Sequence, residues 1–220
     1  MKMLARAVPW LALGLVLPAL ASPQEPAPAA GASDGGRIRI LMMMGNHVGG
    51  YHYYTRDLWE QAGWDLTAAG LAPILQPCNL GVPFHVDTLL TQITDLSGYD
   101  CLAIMQTRAY DGGSHSDLLA SPAAIALVQQ AVAESLLVVA TCGGVRVLAA
   151  AGVIAGRTVT GYELYAQEYI AAGATYAGDD VPPILDGTIL TSAHGRYYCQ
   201  QIVETMREYF AARGRREGRR

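Results

Sequence analysis

"LLVVATCGGVRVLAAAGV", residues 136–153, places Thr141-Cys142-Gly143-Gly144 between two apolar runs. The first run is continuous and valine-rich, the pattern of a strand buried on both faces. The second repeats its apolar residues at helical spacing. A cysteine that only packs in a core needs neither a turn nor two glycines. A chain that turns sharply from strand to helix, with one side chain lifted at the sheet edge, needs both. Glycine tolerates the strained turn and lets helix and strand approach closely. The residues predict a nucleophile elbow at Cys142. The start of the following helix would aim backbone N–H groups at the sulfur and lower its pKa. The alternative from spacing alone is a small core cysteine beside two turn glycines.

On either side of the elbow, strand-like and helix-like runs alternate. RIRILMMM (37–44) is a buried strand ended by Gly45-Asn46. YYTRDLWEQAG (53–63) has helical spacing and a glycine stop. DLTAAG and APILQPC are short strand candidates, VDTLLTQI (86–93) a short helix, and YDCLAIMQ (99–106) another buried strand. In SPAAIALVQQAVAES (121–135), Ser121 reads as an N-cap and Pro122 as the first helical residue. TVTGY (strand), ELYAQEYIAAG (helix), TILTSA (strand) and YYCQQIVETMREYFAAR (helix) close the pattern. Continuous apolar strands alternating with amphipathic helices predict an α/β fold, a mostly parallel sheet with helices on both faces. Sites in such sheets lie beyond the carboxyl ends of the strands, where Cys142 falls.

The chain has 220 residues and is 51% hydrophobic, which suits one domain with a sizeable core. A net charge of −4 gives no reason to invoke nucleic acid. Lys2 and Arg6 precede an apolar run that ends at Ala19-Leu20-Ala21, the pattern of a secretory signal over residues 1–21. The run is about 15 residues long, short for a membrane span. The expectation is a secreted or periplasmic protein with no stable membrane anchor. Residues 22–36 read as a Pro/Ala/Gly linker, 37–210 as the domain, and 211–220 as a solvated basic tail. The four cysteines, Cys78, Cys101, Cys142 and Cys199, follow no metal or disulfide spacing. All four are expected unpaired, with a Cys78–Cys101 bridge as the alternative. The five histidines form no HxH or HxxxH pair, so no metal is expected, and no cofactor.

YDCLAIM, VVATCGGVRVLAAAGVIAGRTVT and LDGTILTSAHG stand in the order and spacing of the ThiJ/PfpI family, of the class I glutamine amidotransferase-like superfamily. The chain resembles that family over about residues 37–210. The resemblance implies a flavodoxin-like three-layer sandwich, a reactive elbow cysteine at Cys142 and a homodimer. Departures accompany it. Members carry a glutamate in the loop after the first strand; here the loop reads GNHVGGYHYY, with His47 near that position. One branch has a histidine directly after the cysteine, where Gly143 stands. Another has one just after the TVT strand, where Tyr162 stands. The usual Pro-Gly-Gly after the third strand is replaced by Gln106-Thr107-Arg108. The implied function is a cysteine-dependent hydrolase or lyase acting on a small carbonyl or amide compound. The alternative is a redox, stress-response or binding protein that keeps the fold.

His47 is either a base for Cys142 or a loop histidine without a partner. His194, in TSAHG, follows a strand end and reaches the rim or is a turn residue. Arg108 offers charge to an anionic substrate or a thiolate, or lies on the surface. Asn46 donates to an oxyanion or takes a left-handed turn. Gly143 contributes its N–H group. Tyr51, Tyr53 and Tyr54 form a pocket wall or a dimer face.

Cleavage after Ala21 is expected. N-terminal sequencing of protein from its native host should read Ser22 first, and an intact Met1 in a membrane fraction would exclude an exported, cleaved form.

Overall fold

In the run RILMMM no polar residue interrupts the apolar ones, because both faces of the strand are covered. Leu41 and Met43 enter one core cluster, and Ile40, Met42 and Met44 enter the other. The computed structural model describes residues 37–47, 51–76, 82–105 and 115–217. The elements begin with β1 (Arg39–Met44), α1 (Tyr51–Gln61), β2 (Asp65–Gly70), β3 (Ile74–Leu75), β4 (Phe84–His85) and β5 (Thr88–Leu89). They continue with β6 (Cys101–Ile104), α2 (Ser116–Leu119), α3 (Pro122–Ala133), β7 (Leu137–Thr141), α4 (Val145–Ala150) and β8 (Thr158–Val159). The last are α5 (Ala166–Ala171), β9 (Thr175–Tyr176), β10 (Ile184–Asp186), β11 (Ile189–Ser192) and α6 (Cys199–Glu217).

The main sheet has the order β10-β11-β7-β6-β1-β2-β5 and is parallel except for the β10–β11 hairpin. Helices α3, α4 and α5 pack on one face with Leu102, Ile104, Val138 and Ala140. Helices α1 and α6 pack on the other, with Trp59, Ile202 and Met206 against Leu137 and Val139. This is the flavodoxin-like sandwich, and the parallel register brings the carboxyl ends of β11, β7, β6 and β1 to one edge.

Local chemistry explains the motifs. Asp100, just before β6, accepts the Arg39 backbone N–H at 2.8 Å and so ties the start of β1 to its neighbour. Arg157 donates to the Asp186 carbonyl at 2.9 Å, and the Asp186 carboxylate accepts the Thr158 N–H at 2.8 Å. Gly187 must be glycine there: φ is 64°, and a Cβ would lie 2.7 Å from Arg157 Nη1. GRTVT and DGTILTS are thus two halves of one clamp. Ser121 caps α3 by accepting the Ala124 N–H at 3.3 Å, with Pro122 first in the helix.

Residues 86–93 differ from expectation. Thr88–Leu89 pairs with β2 as a strand and only Leu90–Gln92 forms a 3₁₀ turn. The Asp87 carboxylate fastens this edge by accepting the Ala68 N–H at 2.7 Å. Cys101 and Cys199 are buried free thiols, so the alternative bridge to Cys101 is not formed. The leader, the linker, Cys78 and Gln106-Thr107-Arg108 lie outside the described residues.

One buried face of α1 carries His52, Thr55 and Trp59. His52 is fully buried, edge-on to Phe84 at 4.8 Å, and neither ring nitrogen has a hydrogen-bond partner among the described residues. Burial, assisted by the charge of Arg56, lowers its pKa from 6.5 to about 4. The unfolded chain therefore binds the proton more tightly. The stability His52 contributes is complete above pH 6.5 and is lost as pH falls towards 4. A loss on the order of 3 kcal/mol is expected from this residue. Urea unfolding of His52→Leu between pH 7 and 4 should show a flatter decline than wild type, and equal slopes would remove His52 from the acid response.

Candidate active site

Strand β7 ends with Thr141 in extended geometry (φ −123°), and Cys142 then takes φ 53°, the left-handed region. A non-glycine residue there is strained by about 1–2 kcal/mol. The chain runs on through a 3₁₀ turn, Cys142–Gly144, into α4. Each glycine has its own task. The Gly143 N–H donates to the Cys142 sulfur and lowers the thiol pKa. Gly144 passes so close to β6 that a Cβ would sit 3.0 Å from the Ile104 carbonyl oxygen. The elbow predicted from the sequence is present.

Its electrostatics differ from expectation. Cys142 is only partly exposed, and burial raises its thiol pKa, with the Gly143 N–H opposing. Helix α4 is only 6 residues long, so its amides offset little of the desolvation. Among the described residues, no side-chain base is hydrogen-bonded to the thiol.

Two groups that the sequence reading passed over lie close by, His115 against Gly144 and Asp117 against the loop after β1. His115, φ 66° and 2% exposed, donates from Nε2 to the Met105 carbonyl at 2.6 Å. The same nitrogen is 3.6 Å from where a Gly144 Cβ would stand. Burial lowers the His115 pKa to about 4, against the raising effects of the Met105 hydrogen bond and Asp117. Asp117, two residues on, accepts the Asn46 N–H at 2.8 Å and the Leu118 N–H at 2.9 Å. Its Oδ1 would be 2.7 Å from a Cβ on Gly45. The head of α2 thus joins the loop after β1, the end of β6 and the elbow. The carboxylate beside the β1 loop comes from α2, from a polar run, DGGSHSD, that reads as plain loop.

On the other flank, the Tyr169 phenol is raised well above its ordinary range, first by burial and then by the Cys142 charge. Gly161 makes room for that ring, since a Cβ would meet it at 2.7 Å. Arg146, in the first turn of α4, donates to Glu168 at 2.7 Å and lies over the Tyr165 ring.

The other predicted site residues fall as follows. His47 is exposed, with φ 64°, in the loop after β1. The Asn46 side-chain oxygen accepts the Gln76 N–H at 3.3 Å, which ties the β1 loop to β3. His194 stands beyond β11, 3.8 Å from the Asp179 carboxylate and with its ring beside Tyr162 and Tyr197. Arg108 is outside the described residues. Tyr51 and Tyr54 are exposed, while Tyr53 packs on Phe84.

Residues 39–207 match the model of the DJ-1/PfpI family. The chain belongs to that family. Solved relatives share the fold at low identity. A two-domain protein from Anabaena variabilis, with DJ-1/ThiJ/PfpI-like and ferritin-like domains, superposes with a TM-score of 0.67 and 20% identity over 77% of this chain. This chain spans 48% of that protein's length. A ThiJ/PfpI domain protein from Brachyspira murdochii gives 0.67 and 17% identity, covering 79% of this chain and 99% of its own. Drosophila melanogaster DJ-1beta gives 0.65 and 21%, covering 77% and 90%. No curated protein matches.

The elbow makes two linked predictions about stability. Cys142→Gly should unfold at higher denaturant than Cys142→Ala, by about 1 kcal/mol, because only glycine relaxes the left-handed strain. Gly144→Ala should destabilise by about 1–3 kcal/mol through the clash with Ile104. Chemical denaturation of the three variants checks both, and equal stability of Cys142→Gly and Cys142→Ala would contradict the strained elbow.

Proposed function

We propose that the protein is a cysteine-dependent hydrolase or lyase acting on a small carbonyl or amide compound, with Cys142 as nucleophile. The observation that supports this most is the strained turn at Cys142. A residue is kept in left-handed geometry at a strand end, with a backbone N–H on its sulfur, where glycine would be more stable. In the proposed reaction the thiol loses its proton to a base and the sulfur adds to the carbonyl carbon. The C=O π pair moves to oxygen, and collapse of this adduct expels the leaving group. Because burial raises the thiol, a base must take the proton near neutral pH. His47 is the proposed base. His194, steadied by Asp179, Tyr162 and Tyr197, lines the substrate side, and Asn46 keeps its amide nitrogen available to a developing oxyanion.

A second reading has its own support. With no hydrogen-bonded base at the thiol among the described residues, the same elbow suits a redox, stress-response or binding protein in which Cys142 oxidises and nothing turns over.

Iodoacetamide labelling, followed at each cysteine by mass spectrometry against pH, separates these readings. Cys142 should label faster than Cys101 and Cys199, and His47→Ala should slow it several-fold near pH 7. Turnover of p-nitrophenyl acetate should vanish in Cys142→Ala. Fast labelling without Cys142-dependent turnover supports the redox or binding reading. Labelling no faster than Cys199 defeats both.

A further inference from the structure

Arg196 lies in the turn between β11 and α6. Its guanidinium carbon is 4.7 Å from the ring centre of Tyr51 and 4.9 Å from that of Tyr197. Tyr51 is the first residue of α1, which follows β1, whereas Arg196 follows β11. Between β11 and β1 stand β7 and β6, so the two flanks are three strand spacings apart, about 14 Å. Helices α1 and α6 pack side by side on one face of the sheet, so this contact joins their starts at the carboxyl edge, the edge at which β7 ends in Cys142.

Arg196, like Arg213 beside Tyr209, meets rings rather than a carboxylate. Arg37, Arg39, Arg56, Arg146 and Arg157 each face a carboxylate. Among the described residues Arg196 has none, and tyrosine rings stand against it instead. Ring stacking uses the faces of the guanidinium and leaves its N–H groups, which lie in the plane, directed outward. Such a fork matches a carboxylate with two parallel hydrogen bonds. The start of α1 adds to the same field: it is an 11-residue helix with no acidic residue in its first turn.

We propose that Arg196, held by Tyr51 and Tyr197, is an anion subsite that orients a carboxylate-bearing carbonyl compound towards Cys142. This rests on the reading of Cys142 as a nucleophile. A substrate bound there has its carboxylate on Arg196 and its carbonyl carbon turned to the sulfur. The substrate class is therefore small oxo acids or acid amides.

Iodoacetate and iodoacetamide test this, since each alkylates a thiolate by displacing iodide and they differ in a carboxylate against a neutral amide. The quantity read is the rate ratio, iodoacetate over iodoacetamide, at Cys142. The ratio should fall about fivefold in Arg196→Gln, the effect of losing one exposed charge pair. It should fall in the same direction in Tyr51→Leu, which leaves the charge but removes a ring that holds it. Raising salt should lower the wild-type ratio and leave that of Arg196→Gln nearly flat. A ratio within twofold of wild type in Arg196→Gln overturns the subsite while Cys142 stands as nucleophile. If Cys142 reacts with iodoacetamide no faster than Cys199 in wild type, the nucleophile and the subsite fall together.

Discussion

The constraint on which the elbow depends is the passage of Gly144 beneath β6. An added Cβ would lie 3.0 Å from the Ile104 carbonyl oxygen, tighter than an ordinary contact. That contact fixes where α4 begins, and the start of α4 fixes the turn that holds Cys142 at φ 53°. Val145, Val147 and Leu148 are fully buried, so the helix cannot back away to relax the turn. Burying each such side chain stabilises the fold by about 1.5–3 kcal/mol, which outweighs the 1–2 kcal/mol of backbone strain. Strain of this kind persists only where the surroundings over-determine it.

The sheet was legible because β1, β6 and β7 are buried on both faces, and that condition writes itself as unbroken apolar runs. The elbow was legible for a related reason: each of its glycines answers a local steric demand. Residues 86–93 misled because Val86, Leu89, Leu90 and Ile93 are spaced like a helix face. The β2–β5 pairing that decides their state is non-local, as is the hold of Asp87 on Ala68. Helix α2 was missed since its 4 residues are too few to show a period. Its value to the fold lies in His115 and Asp117, which reach Met105 and Asn46. No pattern along the chain reports such contacts.

The thiol shows the same division between local and global effects. Backbone N–H groups at a helix start are visible in the sequence, and their sign is right: the Gly143 N–H does lower the Cys142 pKa. Desolvation depends on what else packs around the sulfur, and here it is the larger effect. Tyr169 arrives from 27 residues further along the chain, and its own phenol is raised in part by the Cys142 charge. Charge on the Cys142 sulfur thus makes the nearby phenol hold its proton more firmly, while the thiol's own shift comes from burial.

A raised thiol pKa is compatible with a reactive cysteine. Raising the pKa by one unit lowers the thiolate fraction near neutral pH about tenfold, but the thiolate that remains is about threefold more nucleophilic, so the net loss is only about threefold. Positioning is worth far more, since a well-oriented group gains effective molarities of ~10⁵ M and above. For this chain the decisive question is therefore geometric, namely what holds the acceptor carbon over the sulfur. The elbow fixes one partner of that approach. The loop after β1 and the turn after β11 flank the other, and each is fastened by side chains: Asp117 grips the backbone of the first, while Tyr51 and Tyr197 hold Arg196 in the second. The fastenings come from α2, from α1 and from the turn itself, so the site is rigid only when the sheet edge is fully assembled. Cys142-dependent turnover should accordingly be lost together with the fold, in one cooperative step.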